Sequence, residues 1–341
     1  MTKKIRFGIV GTNFITDWVI AGAQQDERFE LTAVYSRTQE RADEFAEKYQ
    51  IPYQFTSLEE MAKSDVIDAV YIASPNFMHA RQSILCMKHG KHVLCEKPMA
   101  SNAREVQAMI SASQQYGVTL MEAMKPTLTP NFKALQAALP KAGVIRRYFS
   151  AYCQYSSRYD KFKEGIVLNA FNPELSNGAM MDIGIYTIYP MVVLFGRPKK
   201  ISASGIVLSS GVDGQGAVNF DYEGMNATIL YSKIANSSLP TEIEGEEGNL
   251  IVNKINQIGQ VTWQPRPAAA SGKGIAPQPV DLTVPTPNDE YFYEIEEFIH
   301  LIETGKRESA INSHANSLIT IEIIDEIRRQ LGVVYPADSI G

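Results

Sequence analysis

Asp182 and Tyr186 stand four residues apart in the apolar run Met181-Asp182-Ile183-Gly184-Ile185-Tyr186. That spacing puts two side chains on one face of a helix. Both groups can hold or exchange a proton. An alcohol losing hydride from carbon must also lose its hydroxyl proton, which calls for a positioned base. Free tyrosine, with a pKa of about 10, is a poor base at pH 7, and each unit of depression needs about 1.4 kcal/mol from a neighbouring cation. Upstream, Glu96-Lys97-Pro98 ends the apolar segment His92–Cys95. A Glu-Lys pair at the carboxyl end of a parallel strand points into the crevice where open α/β sheets bind ligands. Plainer readings compete: Asp182 paired to a neighbouring Lys or Arg, and Tyr186 a core aromatic with its hydroxyl satisfied.

A second set of residues reads as a phosphate cradle. The first apolar segment runs into Gly8-Ile9-Val10-Gly11-Thr12-Asn13-Phe14-Ile15-Thr16. A strand, a tight turn and a helix in that order place pyrophosphate at a helix N-terminus. The Gly-x-Gly-x-x-Gly pattern survives only as Gly11-x-Asn13-x-x-Thr16. Asn tolerates positive φ better than most residues, so Asn13 is expected to keep the turn and to offer its amide to phosphate. Thr16 is expected to widen the helix–strand contact. A turn with no ligand is the competing reading. Segment two ends in Ser36-Arg37-Thr38, with no carboxylate for a ribose 2′-hydroxyl. Guanidinium pairs with a 2′-phosphate through two charge-assisted bonds, so this favours NADP, with NAD as the alternative. Arg37 as a solvated helix-start residue competes with that. Ser74-Pro75-Asn76-x-x-His79 falls at the same edge of the expected sheet.

The elements that must position these groups alternate over the first 124 residues. Strands are expected at 5–11, 29–36, near 54, at 67–73, 92–95 and 118–123. Helices are expected at 14–25, 38–49, from the capping box Ser57-Leu58-Glu59-Glu60, at 76–89 and from Asn102. Alternation of this kind predicts a doubly wound parallel sheet. After Lys125 the pattern changes to β-rich segments at 144–155, 201–208, 216–222, 226–233, 249–254 and 259–264, which predicts a largely antiparallel sheet. A helix is expected over 178–194, a long surface loop over 264–288, and two closing helices through Phe292, Ile295, Ile299, Ile302 and through Leu318, Ile321, Ile324, Ile327, Leu331.

The chain has 341 residues, which predicts two domains. A count of 32 Lys+Arg against 38 Asp+Glu argues against nucleic acid as a partner. The longest apolar run, 185–195, is about half of the roughly 20 residues a membrane span needs. Three cysteines, no apolar leader and 45% hydrophobic residues give a cytoplasmic expectation. His89 and His92 have no third ligand in view, so no metal is expected. Cys95 reads as a small core hydrophobe.

Together, the strand-one turn, Ser74-Pro75-Asn76-x-x-His79, Glu96-Lys97-Pro98, Asp182-x-x-x-Tyr186 and Gly245-x-x-Gly248 resemble the glucose–fructose oxidoreductase / inositol dehydrogenase (Gfo/Idh/MocA) family over nearly the whole chain. Tyr186 and Ser36-Arg37 make the dimeric dihydrodiol dehydrogenase / NADP-dependent xylose dehydrogenase branch the most similar. Lys125 and Thr127 depart from that branch, which often has an aromatic and an Arg there. The resemblance implies a Rossmann domain over 1–124 and a C-terminal α/β domain with an open, mostly antiparallel sheet over 125–341. It implies hydride transfer between nicotinamide and a sugar, polyol or related hydroxy/carbonyl compound. Lys97, Tyr186 and Asp182 would be catalytic, with Tyr186 exchanging the proton, Lys97 lowering its pKa and Asp182 orienting substrate or Lys97; Lys97 as the proton carrier is the alternative. Gly11, Thr12, Asn13, Phe14, Ile15, Ser36, Arg37, Ser74, Pro75, Asn76, His79, Glu96 and Lys97 would bind cofactor. A homodimer or homotetramer through the second sheet is implied too. A non-catalytic cofactor-binding sensor and an NAD-dependent glycoside hydrolase on the same fold remain alternatives.

Overall fold

A computed structural model describes residues 4–267 and 277–339. In chain order the first half contains β1 (Ile5–Val10), α1 (Phe14–Ala23), β2 (Phe29–Tyr35), α2 (Gln39–Tyr49), β3 (Tyr53–Phe55), α3 (Leu58–Lys63), β4 (Ala69–Ile72), α4 (His79–Lys88), β5 (His92–Glu96), α5 (Ala103–Tyr116) and β6 (Leu120–Ala123). The rest contains α6 (Pro130–Ala138), β7 (Ile145–Cys153), α7 (Tyr159–Lys163), α8 (Ile185–Phe195), β8 (Lys200–Val207), β9 (Asp213–Asp221), β10 (Asn226–Ser232), β11 (Thr241–Gly245), β12 (Gly248–Val252), β13 (Val261–Pro265), β14 (Val280–Asp281), α9 (Glu290–Glu303), α10 (His314–Leu331) and α11 (Pro336–Ser339).

Two compact units result. One comprises Met1–Lys125 with Asn288–Ile321, the other Pro126–Pro287 with Glu322–Gly341. The first break falls where the composition changes. The return of 288–321 to the first unit departs from a simple split at residue 124, and its cause is local. The Phe7 and Phe298 rings lie 6.0 Å apart. Edge strand β6 is covered rather than bare: Leu120 N–H donates to Arg307 C=O at 3.0 Å, and the Asn312 amide donates to Glu122 and Met124 C=O at 3.2 and 3.1 Å.

The first unit is built on a six-stranded sheet in the order β3-β2-β1-β4-β5-β6, parallel throughout. Central strand β4, Ala69–Ile72, is apolar along its length because both faces are buried. Helix starts follow the expected caps. Thr38, Ser57 and Asn102 each accept an N–H from three residues on.

The second unit carries an eight-stranded sheet, β14-β13-β12-β11-β7-β10-β9-β8, in which only β7 and β10 run parallel. Gly245-x-x-Gly248 is the hairpin between β11 and β12. Several expectations need correction, and the short helices α7 and α11 were not anticipated. Strand β11 was not anticipated. Helix α6, capped by Thr129 with Pro130 at its first position, was not anticipated either. Part of the loop expected over 264–288 is strand, since β13 reaches Pro265 and β14 pairs with it; residues 268–276 lie outside the described residues. The helix expected from 178 opens as a π-turn, Met180–Gly184, before α8. The stretch Pro173–Phe195 is also long and apolar enough for a membrane by composition, longer than the run at 185–195 suggested. With 72% of its most apolar window buried, it is a core helix.

Candidate active site

In the first unit, the turn between β1 and α1 is tied down by its own side chains. Gly11 has φ +110, and a Cβ there would lie 2.6 Å from Ala73 C=O, so only glycine fits. Asn13 has φ −96, extended rather than left-handed, so its role is not the one expected. Its Oδ1 accepts from Ile15 N–H at 2.9 Å and its Nδ2 donates to Ala73 C=O at 2.7 Å. The amide is therefore engaged in the turn. Thr16 is fully buried and donates to Gly11 C=O at 2.8 Å. At the second and third glycine positions of the pattern, Asn13 and Thr16 supply hydrogen bonds that fix the loop.

Thr12 sits beside Arg41, which sequence reasoning missed. Arg41 Nε donates to Thr12 Oγ1 at 3.0 Å and a terminal nitrogen donates to Thr12 C=O at 2.6 Å. Arg37 is exposed and Ser36 half-exposed just past β2. The signal was present: Arg41 lies in the first turn of α2, on the helix that follows the strand end. Cations at this edge, a glycine-only approach and the α1 N-terminus form a cradle suited to a dinucleotide with an extra phosphate.

The loops after β4, β5 and β6 are held by buried polar groups. His79, 1% exposed, bridges two of them, with Nδ1 3.0 Å from Pro98 C=O and Nε2 2.7 Å from Ser74 C=O. Burial lowers its pKa against those two bonds, so it acts as a clamp on Ser74-Pro75 and on Pro98. Ser74 Oγ is 2.6 Å from Gln82 Oε1. The Lys97–Pro98 peptide is cis. Glu96 accepts from the Tyr71 hydroxyl at 2.5 Å and from Lys97 N–H at 3.2 Å. Burial raises the Glu96 carboxyl above its usual range, opposed by the Lys97 charge. Glu122, 2% exposed, accepts from Met99 N–H at 2.9 Å, and burial pushes its carboxyl up to about 7. Glu294 on α9 is wholly buried, and neither carboxylate oxygen is hydrogen-bonded among the described residues; burial, then the Glu96 charge, raise it well above the carboxylate range. Lys125 is buried too, paired with Glu290 and 4.3 Å from the Tyr291 ring centroid.

In the second unit, one helix face is exposed at two points. From Gly178 to Val192 every residue is buried except Asp182 and Tyr186. The π-turn sits at this point, as π-turns frequently do at functional sites. Asp182 pairs with the Lys233 ammonium, another residue that sequence reasoning did not name. Tyr186 packs edge-on against Tyr152, with ring centroids 5.8 Å apart. From below, Asp213 holds the start of the turn: its Oδ2 accepts from Met180 N–H at 2.7 Å. Gly178, at φ +151, leaves that carboxylate room, since a Cβ would lie 2.3 Å from Asp213 Oδ1.

The comparisons with known proteins cover the same regions. A family described as an oxidoreductase family with an NAD-binding Rossmann fold, GFO_IDH_MocA, matches residues 5–124, and a GFO/IDH/MocA C-terminal domain matches residues 141–251. The scyllo-inositol 2-dehydrogenase (NADP(+)) of Bacillus subtilis strain 168 is 52% identical over 335 residues, spanning 98% of this chain and 99% of that protein. The trans-1,2-dihydrobenzene-1,2-diol dehydrogenase of Danio rerio is 33% identical over 356 residues, with 98% and 99% covered. Among solved structures, the aldose-aldose oxidoreductase from Caulobacter crescentus has the same fold, with a TM-score of 0.81 at 21% identity over 96% of this chain and 97% of that one.

Proposed function

This chain belongs to the Gfo/Idh/MocA oxidoreductase family, and on that premise we propose that it oxidises a secondary alcohol of a polyol, with NADP as the acceptor. A cyclitol of the scyllo-inositol kind is the first substrate class. The observation that carries the proposal is the 52% identity over 335 residues to an NADP(+)-linked scyllo-inositol dehydrogenase. The nicotinamide, when bound, supplies the two-electron acceptor. The chain supplies everything else.

In this reading residues 1–125 with 288–321 are the cofactor-binding part, and 126–287 with 322–341 the substrate part. Thr12, Asn13, Phe14 and Ile15 present the α1 N-terminus to the pyrophosphate over Gly11. Ser36 and Arg37 take the 2′-phosphate, helped by Arg41. Ser74, Pro75, Asn76 and Glu96-Lys97 frame the nicotinamide end, and His79 clamps that frame. Tyr186 exchanges the hydroxyl proton. Lys97 binds substrate oxygen, and Asp182 accepts from a second substrate hydroxyl. Cytoplasmic location and a homodimer or homotetramer assembled through the second sheet belong to the same proposal.

Tyr186→Phe tests the assignment. Turnover of scyllo-inositol with NADP+ should fall roughly 10²–10⁴-fold, the usual contribution of a general acid–base group. NADPH affinity should stay unchanged. Full turnover with the parent pH dependence would remove Tyr186 from the reaction.

A further inference from the structure

The second unit contains a buried cation facing the reactive helix that neither the motifs nor the family comparison singles out. Lys233 follows the last residue of β10 and is 4% exposed. Its backbone is clamped on both sides: its N–H donates to Gly214 C=O at 2.9 Å, and its C=O accepts from Ser156 N–H at 2.9 Å. Ser232 Oγ accepts from Ile234 and Ala235 N–H at 3.1 and 2.9 Å, which fixes the turn that follows. The stem therefore has little freedom. The ammonium pairs with Asp182 and lies 5.8 Å from the centroid of the buried Phe171 ring. A lysine is almost never buried this far without an anionic partner.

The pair is lopsided. The Lys233 side chain is 5% exposed and the Asp182 side chain 32%. The cation faces inward and the carboxylate outward. Such a pair contributes little to stability for its cost, because desolvation of the ammonium offsets the attraction. It does determine the charge and direction of the exposed partner. We infer that Lys233 is a positioning residue of the active site, which holds Asp182 as an ionised, outward-facing acceptor for a substrate hydroxyl. This rests on the reading that Asp182 meets substrate.

Other titratable groups surround the turn. Tyr186 lies on α8, Tyr231 on β10, Asp213 on β9, and Tyr148, Tyr152 and Cys153 on β7. None is a cation. Of the cations beyond them, Arg328, which acts on Asp213, pairs with Asp325 and Asp338. Lys161 and Lys163 on α7 pair with Glu164 and Asp160, and Arg158 precedes α7. Arg146 and Arg147 sit at the opposite end of β7, engaged by Glu246 and Glu244.

The experiment is a double-mutant cycle on the full chain with scyllo-inositol and NADP+, using Lys233→Met, Asp182→Asn, both together, and Lys233→Arg. Lys233→Met should lose about 10²-fold in kcat/KM, and the acidic limb of its pH profile should move to higher pH, because the carboxylate has lost the cation that favours its charged form. Melting temperature and NADPH affinity should stay near the parent. Lys233→Arg should recover most of the loss. The double variant should be no worse than Asp182→Asn alone, since Lys233 acts through Asp182. Additive losses, or Lys233→Met with parent kcat/KM and pH profile, would overturn the inference. If Lys233→Met is unfolded, Lys233→Gln takes its place in the cycle, with the same expected and overturning results. Full activity of Asp182→Asn would instead overturn the reading of Asp182.

Discussion

Glu122 ties the fold's stability to pH through the loop that follows Lys97. Its carboxyl is buried, accepts the Met99 N–H at 2.9 Å and is bonded to Ser317. Burial is the largest influence and raises the group from 4.5 to about 7. A pKa raised on folding means that the folded state binds the proton more tightly than the unfolded chain. The resulting stability is fully present below pH 4.5 and disappears as pH rises through about 7. The gap, at about 1.4 kcal/mol per pH unit, amounts to about 3 kcal/mol. Glu122→Gln keeps an amide oxygen to accept from Met99 N–H but cannot ionise. Its stability relative to the parent should therefore rise between pH 5 and pH 8 by up to about 3 kcal/mol. Urea unfolding of both proteins at the two pH values measures this difference. Equal pH dependence in the two proteins would refute the reasoning, since it would mean that Glu122 is already ionised in the folded state at pH 5.

Other outcomes follow from the same geometry. Gly11→Ala places a Cβ 2.6 Å from Ala73 C=O at φ +110, so a fluorescence titration should find NADPH binding weakened at least tenfold. Arg41→Ala should weaken NADPH by roughly 10–100-fold through a lost charge-assisted bond and leave NADH nearly unchanged; equal losses for both would place Arg41 in the turn's structure instead. Asp213→Ala removes the acceptor for Met180 N–H beneath the helix that carries Asp182 and Tyr186. It should lower the melting temperature and kcat together, with NADPH affinity intact.

The parallel sheet was readable because its signals are local and repeated. Strand β4 is apolar throughout and β1 is so apart from Arg6, and the caps at Thr38, Ser57 and Asn102 sit where the helices begin. Helix α6 also had a local signal, Thr129 before Pro130, and could have been found. Strand β11 could not be found so easily, since Thr-Glu-Ile-Glu-Gly gives only one buried hydrophobe and gains its place by pairing with β7 and β12. The return of 288–321 to the first unit depends on cover for edge strand β6, a tertiary need with no local signature. The same division runs through the site. Gly11, Lys97, Asp182 and Tyr186 stood out by type and spacing. Arg41 was visible in principle, because it lies one helical turn past the strand end. Lys233 was not, because its partner is 51 residues away and only the sheet register between β7, β9 and β10 brings it to Asp182. Asn13 and Thr16 looked like losses from a glycine motif; in three dimensions each supplies hydrogen bonds that a glycine lacks. Substrate identity was the least legible feature, since the chemistry of a polyol hydroxyl is common to many sugars.

The central claim is NADP-linked oxidation of a polyol. The most direct measurement is the initial rate of nucleotide reduction by the purified chain with scyllo-inositol and a panel of other polyols and sugars, in parallel with NADP+ and NAD+. The account predicts NADP+ reduction with a cyclitol among the best substrates, and a rate with NAD+ at least tenfold lower. Reduction of neither nucleotide by any polyol, or a clear preference for NAD+, would contradict it.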